Sequence, residues 1–148
     1  MKRWEESIAI KAPADKVFSY VSDFARHGEW SGHGLQVSRA DDGPVVVGTK
    51  FLTVAKLFGT QREESTITEM TAPKEFGWMS AGGLGRTHHR FSLREDAGTT
   101  VLAKSAEFIE QTTLAKITMF KLSRDIPKGL RSDLAKIKAT VEGRTSRA

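Results

Sequence analysis

Hydrophobic residues follow two rhythms along this chain, and the changes of rhythm divide it into three parts. In SIAIK (7–11) apolar and polar positions alternate, the period of a strand, with Ile8 and Ile10 on one face. In APADKVFSYVSDF (12–24), Val17, Tyr20, Val21 and Phe24 recur at the i, i+3, i+4, i+7 spacing of one helix face, and Pro13 suits a first helical position. Asp23 and GEWSGHG (28–34) break this helix, with a second short helical turn expected to end near Trp30. Six runs of strand length follow: LQVSRA, GTKFLTVAKLF, QREESTITEM, FGWMS, THHRFSLRE and TVLAKSAEF. The turn residues DDGP, Gly59, TAPKE, AGGLG and DAGT separate them at the short spacing of an antiparallel meander, which makes about seven strands with the first. The helical period then returns: Met119, Leu122, Ile126, Leu130, Leu134, Ile137 and Val141 form one long stripe, with Thr112 or Thr113 as its N-cap. Pro127 removes a backbone donor inside this stripe and predicts a kink or restart between Arg124 and Pro127. GRTSRA (143–148) has no apolar anchor, so the expected organisation is a single domain over 1–143 and a frayed tail over 144–148.

A length of 148 residues suffices to bury a core without covalent help. With no cysteine, disulfides, thiolate nucleophiles and Cys-ligated zinc are excluded. MKRWEESIAI has acids where a signal peptide needs an apolar core, and no stretch is apolar enough to span a membrane, so a cytoplasmic protein is expected. The formal charge of +5 is concentrated at the end: residues 114–148 hold nine Lys/Arg against three Asp/Glu, and the rest hold fourteen against fifteen. A gradient of this kind fits nucleic acid or an anionic membrane. Lys116, Lys121, Arg124, Lys128, Arg131, Lys136 and Lys138 alternate with the apolar stripe, however, and no aromatic-rich strand accompanies them. They are read as the wet face of an amphipathic helix, with nucleic acid not expected as a partner.

Several segments together carry a family resemblance: IKAPADKVFSYVSDFARHGEW (10–30), GPVVVGTKF (43–51), ITEMTAPKEFGW (67–78) and LRSDLAKIKATVE (130–142). They resemble the SRPBCC or START-like superfamily, most closely its polyketide cyclase/dehydrase and lipid-transport branch. The resemblance implies an α+β helix-grip fold, in which a curled antiparallel sheet of about seven strands wraps a long C-terminal helix, with two short helices after the first strand. It also implies a cavity between sheet and helix for a hydrophobic or amphipathic small molecule. The superfamily includes cyclases, lipid carriers, chaperone activators and toxin-like proteins, so it specifies architecture more than chemistry. LAKITMFKL (114–122) adds support, because it is apolar on more than one face and needs burial against more than a sheet.

The adjacent His88 and His89 lie in a strand, where successive side chains point to opposite faces, so they cannot converge on one metal ion. His89 shares parity with Phe91 and Leu93 and is expected inside; His88 and Arg90 are expected outside. If the turn at 96–98 sets Leu93 opposite Val101, an inner polar group of Thr87, His89, Ser105 and Glu107 follows. Glu63 and Ser65 join it by parity with Ile67, unless a bulge near Glu69 reverses the assignment. The leading reading is therefore binding or transport of a lipid- or polyketide-like ligand. Phe51, Trp78, Phe91, Met119 and Phe120 would hold it, His89 and Glu107 would orient it, and Ser65, Thr87 and Ser105 would line its polar side. An enzyme alternative is a cofactor-free cyclase or dehydratase with His89 and Glu107 as acid and base. An interaction alternative is a toxin-like or ribosome-associated protein using the basic helix. No metal or cofactor is expected: GGLGRT (82–87) lacks a phosphate-binding pattern, and His27 and His33 are read as surface histidines without a third ligand. The chain is expected as a monomer or homodimer.

Overall fold

The computed structural model describes residues 2–31, 35–39, 43–56 and 60–146. Strands β1 (Lys2–Ile10), β2 (Gln36–Ser38), β3 (Lys50–Lys56), β4 (Thr60–Thr71), β5 (Glu75–Gly82), β6 (Gly85–Asp96) and β7 (Thr99–Gln111) form one antiparallel sheet in the order β1-β7-β6-β5-β4-β3-β2. The sheet is curled but not closed, since β1 and β2 remain its edges. β1 begins before the SIAIK alternation because the 13-residue β7 pairs with it from Lys2↔Phe108 to Ile10↔Thr100.

Helix α1 (Ala14–Val21) follows β1, with Pro13 as its extended N-cap rather than its first helical residue. Its N-terminal amides are met from the sheet: the Ala14 N–H donates to Glu95 Oε1 at 2.6 Å. A 3-10 segment over Phe24–Glu29 ends at Trp30, where the sequence placed the second turn. Helix α2 (Thr113–Ile117) is capped by Thr112, whose Oγ1 accepts from the Ala115 N–H. Helix α3 (Met119–Ser146) completes the chain.

Two helix expectations change. Pro127 lies inside α3, which stays helical through it, and the interruption comes earlier, at Thr118. Packing of the α3 stripe on the sheet compensates for the bond that proline removes. The backbone also stays helical to Ser146, inside the segment expected to fray, because extending an existing helix needs no new nucleus. Residues 147–148 lie outside the described ones.

The core forms where α1 and α3 meet the concave face. Ile10, Val17, Val21, Phe76, Phe91 and Leu102 pack with Leu134, Ile137 and Val141, all at most 3% exposed. At its C-terminal end α3 is tied back to β1: Lys138 Nζ donates to the Ala9 carbonyl at 2.8 Å, and Glu142 accepts from the Lys11 N–H at 2.9 Å. The other half of α3, before Leu130, stands over the part of the sheet that is not filled by this core.

Candidate functional site

The inner face of the sheet is fixed by hairpin geometry. Asp96 pairs with Thr99 across a two-residue loop, with Ala97 at φ 51° and Gly98 at φ 82°. Positive φ at both central positions is the type I′ arrangement that matches strand twist. It sets Leu93 opposite Leu102, Phe91 opposite Lys104, His89 opposite Ala106 and Thr87 opposite Phe108. The even residues of β7 therefore face inward. On β4 a bulge falls between Ile67 and Glu69, so the residues before it keep the parity of Ile67, and Glu63 and Ser65 join the inner face.

Between this face and α3 lies a cavity of about 180 Å³. Phe24, Trp78, Leu84, Phe108, Leu122 and Ile126 supply its apolar wall. His27, Glu63, Thr87, His89, Lys104 and Asp133 supply its polar positions, with Thr53, Ser65 and Ser80 beside them. The Gly82–Gly85 hairpin closes one end, and Gly85 (φ 107°) permits this because a Cβ there would lie 1.9 Å from the Glu110 carbonyl oxygen. A wider groove of about 440 Å³ on β1, β6 and β7 is bounded by Glu5, Glu6 and Arg94 and has no aromatic wall.

Lys104 is the central charge. Its Nζ lies 3.6 Å from Asp133 Oδ2, with both side chains nearly buried, and 5.6–6.0 Å from the ring centroids of Trp30, Trp78 and Phe91. Burial lowers the Lys104 pKa, and Asp133 opposes that shift. His27 and His89 both contact Trp78: His89 stacks on the indole at 5.1 Å and 15°, and His27 meets it edge-on at 4.8 Å and 83°. Burial first, and the Lys104 charge second, hold both imidazoles well below the usual histidine pKa, so they are neutral. Nδ1 of each is buried without a hydrogen-bond partner in the protein, as is Trp30 Nε1. Burial raises the Glu63 pKa, and a hydrogen bond from Ser80 partly opposes this. The cavity thus combines aromatic walls, one buried ion pair and two neutral imidazoles with unused hydrogen-bonding capacity.

Ser65, Trp78, Thr87 and His89 line the cavity. The others do not. Ser105 and Glu107 point to the outer face, Ser105 opposite Arg90 and Glu5, and Glu107 opposite His88 and Arg3. The expected register assumed a three-residue turn, and the two-residue loop shifts β7 by one position and reverses its faces. Phe51 and Phe91 are buried in the core beside the cavity rather than on its wall. Met119 is half-buried and Phe120 is 84% exposed, and neither is on the cavity wall.

His27, read as a surface histidine, is 6% exposed and on the cavity wall. The cause is the 3-10 period of three, which aligns Phe24, His27 and Trp30 on one buried face. His33 lies outside the described residues. Lys104 and Asp133 were not foreseen. Their signals were present in the parity of Lys104 with Leu102 and Phe108, and in the helical spacing of Asp133 from Leu130 and Ile137. His88 is on the outer side, with Nε2 2.9 Å from Glu69 Oε1. Among the described residues no cluster of His, Asp or Glu has the arrangement of a metal site.

An open antiparallel sheet gripping a C-terminal helix, with a cavity between them, defines a helix-grip protein. A sequence model of the family described as polyketide cyclase / dehydrase and lipid transport matches residues 1–142, and the chain belongs to that family. Among solved structures it is similar to the Zhui aromatase/cyclase from a Streptomyces species, with TM-score 0.80, 15% identity, and 97% of this chain and 95% of that one covered. It is also similar to a Thermus thermophilus protein (TM-score 0.76, 15% identity, 97% and 99% covered). A third likeness is to the di-domain ARO/CYC StfQ from the steffimycin biosynthetic pathway (TM-score 0.69, 13% identity), where 97% of this chain matches 46% of that one. At these identities the likeness is one of fold. A search of curated proteins finds no match.

Proposed function

We propose that the protein binds a compact aromatic or amphipathic molecule in the cavity between the sheet and α3, with the ring against Trp78 and an oxygen held by His89 and Lys104. The observation that carries this reading is a cavity of about 180 Å³ with aromatic walls, lined by the Trp78-stacked His89 and by the buried Lys104–Asp133 pair. An apolar cavity of about 150 Å³ accepts benzene, so the space here suits one or two fused rings. Polyketide-derived aromatics have this character, and the family membership supports that class.

Calorimetric titration with naphthol tests the assignment. His89→Ala is expected to weaken binding by about 1–3 kcal/mol, through loss of a hydrogen bond and of the stacked ring. His88→Ala, on the opposite face, is expected to leave it unchanged. Loss on His88→Ala with His89→Ala silent would contradict the assignment.

One observation favours an acid–base reading of the same site. The buried Asp133 carboxylate shares the cavity with the neutral His89, a pairing suited to the proton transfers of cyclisation and dehydration. In this version Asp133 takes the place assigned from sequence to Glu107.

A further inference from the structure

Phe120, expected against the ligand, is 84% exposed, and Ile117 and Leu114 beside it are 76% and 41% exposed. These are large apolar groups left in water at one end of the molecule. The helical course continues across the break at Thr118, since the Thr118 N–H donates to the Leu114 carbonyl and the Leu122 N–H to the Thr118 carbonyl, both at 3.0 Å. At about 100° per residue, Leu114, Ile117, Phe120, Lys121, Arg124, Lys128 and Arg131 then fall within about a third of the circumference. All seven are exposed. The apolar side chains head this arc, the cations continue it, and the Arg124 guanidinium lies 6.0 Å from the Phe120 ring centroid. Asp125, at its margin, is engaged by Lys121 at 2.6 Å. The opposite side of the same helical segment presents Leu122, Ile126 and Leu130 to the cavity.

We infer that this arc is a docking surface for an anionic phospholipid membrane. Leu114, Ile117 and Phe120 would enter the headgroup boundary while Lys121, Arg124 and Lys128 meet lipid phosphates. An apolar tip that continues into a basic stripe is what an interfacial helix needs, because hydrocarbon covers the first and anionic headgroups attract the second. Nucleic acid would match the cations and the Phe120 ring, but it would leave branched Leu114 and Ile117 uncovered, since neither offers a ring for a base to stack on. Among the described residues no helix is long and apolar enough to cross a membrane, so the association is peripheral. The inference stands independently of the cavity ligand, but it gives the α3 segment that walls the cavity a means of meeting molecules dissolved in lipid.

Co-sedimentation of the full chain with vesicles of equal parts phosphatidylcholine and phosphatidylglycerol, against pure phosphatidylcholine, tests it. Binding is expected to the anionic vesicles and much less to the neutral ones. Phe120→Asp is expected to lower the partition coefficient by about tenfold or more, and Arg124→Glu by a similar factor. Lys136→Glu, the same charge change farther along α3, is expected to have a far smaller effect. Phe120→Asp is a surface change and should leave naphthol binding intact, so failure of the membrane inference is distinguishable from failure of the cavity reading. No sedimentation of the wild type with anionic vesicles at low salt would overturn the inference. So would unchanged binding of Phe120→Asp, or a preference for RNA over anionic vesicles.

Discussion

Replacing Asp133 by alanine is expected to cost about 3–5 kcal/mol of folding stability at neutral pH, the range for breaking a buried ion pair from one side. The reason is the isolation of Lys104. Its ammonium group lies beneath the rings of Trp30, Trp78 and Phe91, and Asp133, 3.6 Å away, is the buried carboxylate that faces it. Without it the lysine must either stay charged in a nearly dry site or give up its proton. The double change Lys104→Met with Asp133→Leu is expected to recover most of the loss, because a matched apolar pair leaves no buried charge uncompensated. Denaturant melts of the two single variants and the double variant supply the cycle. A loss below about 0.5 kcal/mol for Asp133→Ala, the usual range for exposed sites, would place the pair in solvent.

The second large effect is in acid. His27 and His89 are neutral in the folded protein, with pKa values held well below the ordinary histidine value by burial and by Lys104. In the unfolded chain each regains a pKa of about 6.5. Between the folded and unfolded values the unfolded state therefore binds more protons, and stability falls as pH drops through that window. Two such groups give a slope of up to about 2.7 kcal/mol per pH unit below about pH 6, and none from this source above about pH 7. Replacing either histidine with phenylalanine should halve that slope. A stability profile that stays flat from pH 7 to about pH 5 would show that the imidazoles are accessible to protons in the folded state.

The fold was legible because its signals are redundant. Each strand run is bounded by turn residues, and the stripe from Leu122 to Val141 repeats often enough that one proline does not obscure it. Site geometry is less redundant, since it depends on single residues. THHRFSLRE declares its inner face through Phe91 and Leu93, and His89 was placed correctly on that evidence. TVLAKSAEF is ambiguous because Val101 and Ala103 suit an inner face nearly as well as Leu102 and Phe108 do. The length of the turn before it had to decide, and Ala97 at positive φ is not a residue that announces a two-residue loop. That single step puts Lys104 rather than Ala103 opposite Phe91, Ala106 rather than Ser105 opposite His89, and Phe108 rather than Glu107 opposite Thr87. His27 was hidden for a related reason: a period of three leaves a six-residue segment looking irregular when it is tested against the α-helical period. Phe120 was misassigned because an apolar residue next to a buried stripe is ordinarily buried too, and only the three-dimensional arc shows it facing outward.

The most direct test of the cavity assignment is to fill the cavity. Ala106 is 4% exposed, lies opposite His89 on β7 and belongs to the cavity wall. Ala106→Phe would place a ring where the ligand ring is proposed to lie, in space that is otherwise open, so the fold should survive the added bulk. Calorimetric titration of naphthol into the wild type and into Ala106→Phe, with circular dichroism confirming that both are folded, is the deciding measurement. Saturable binding at one site in the wild type, abolished in the folded variant, is the predicted result. Binding of equal strength in the two proteins would contradict the assignment of this cavity as the ligand site.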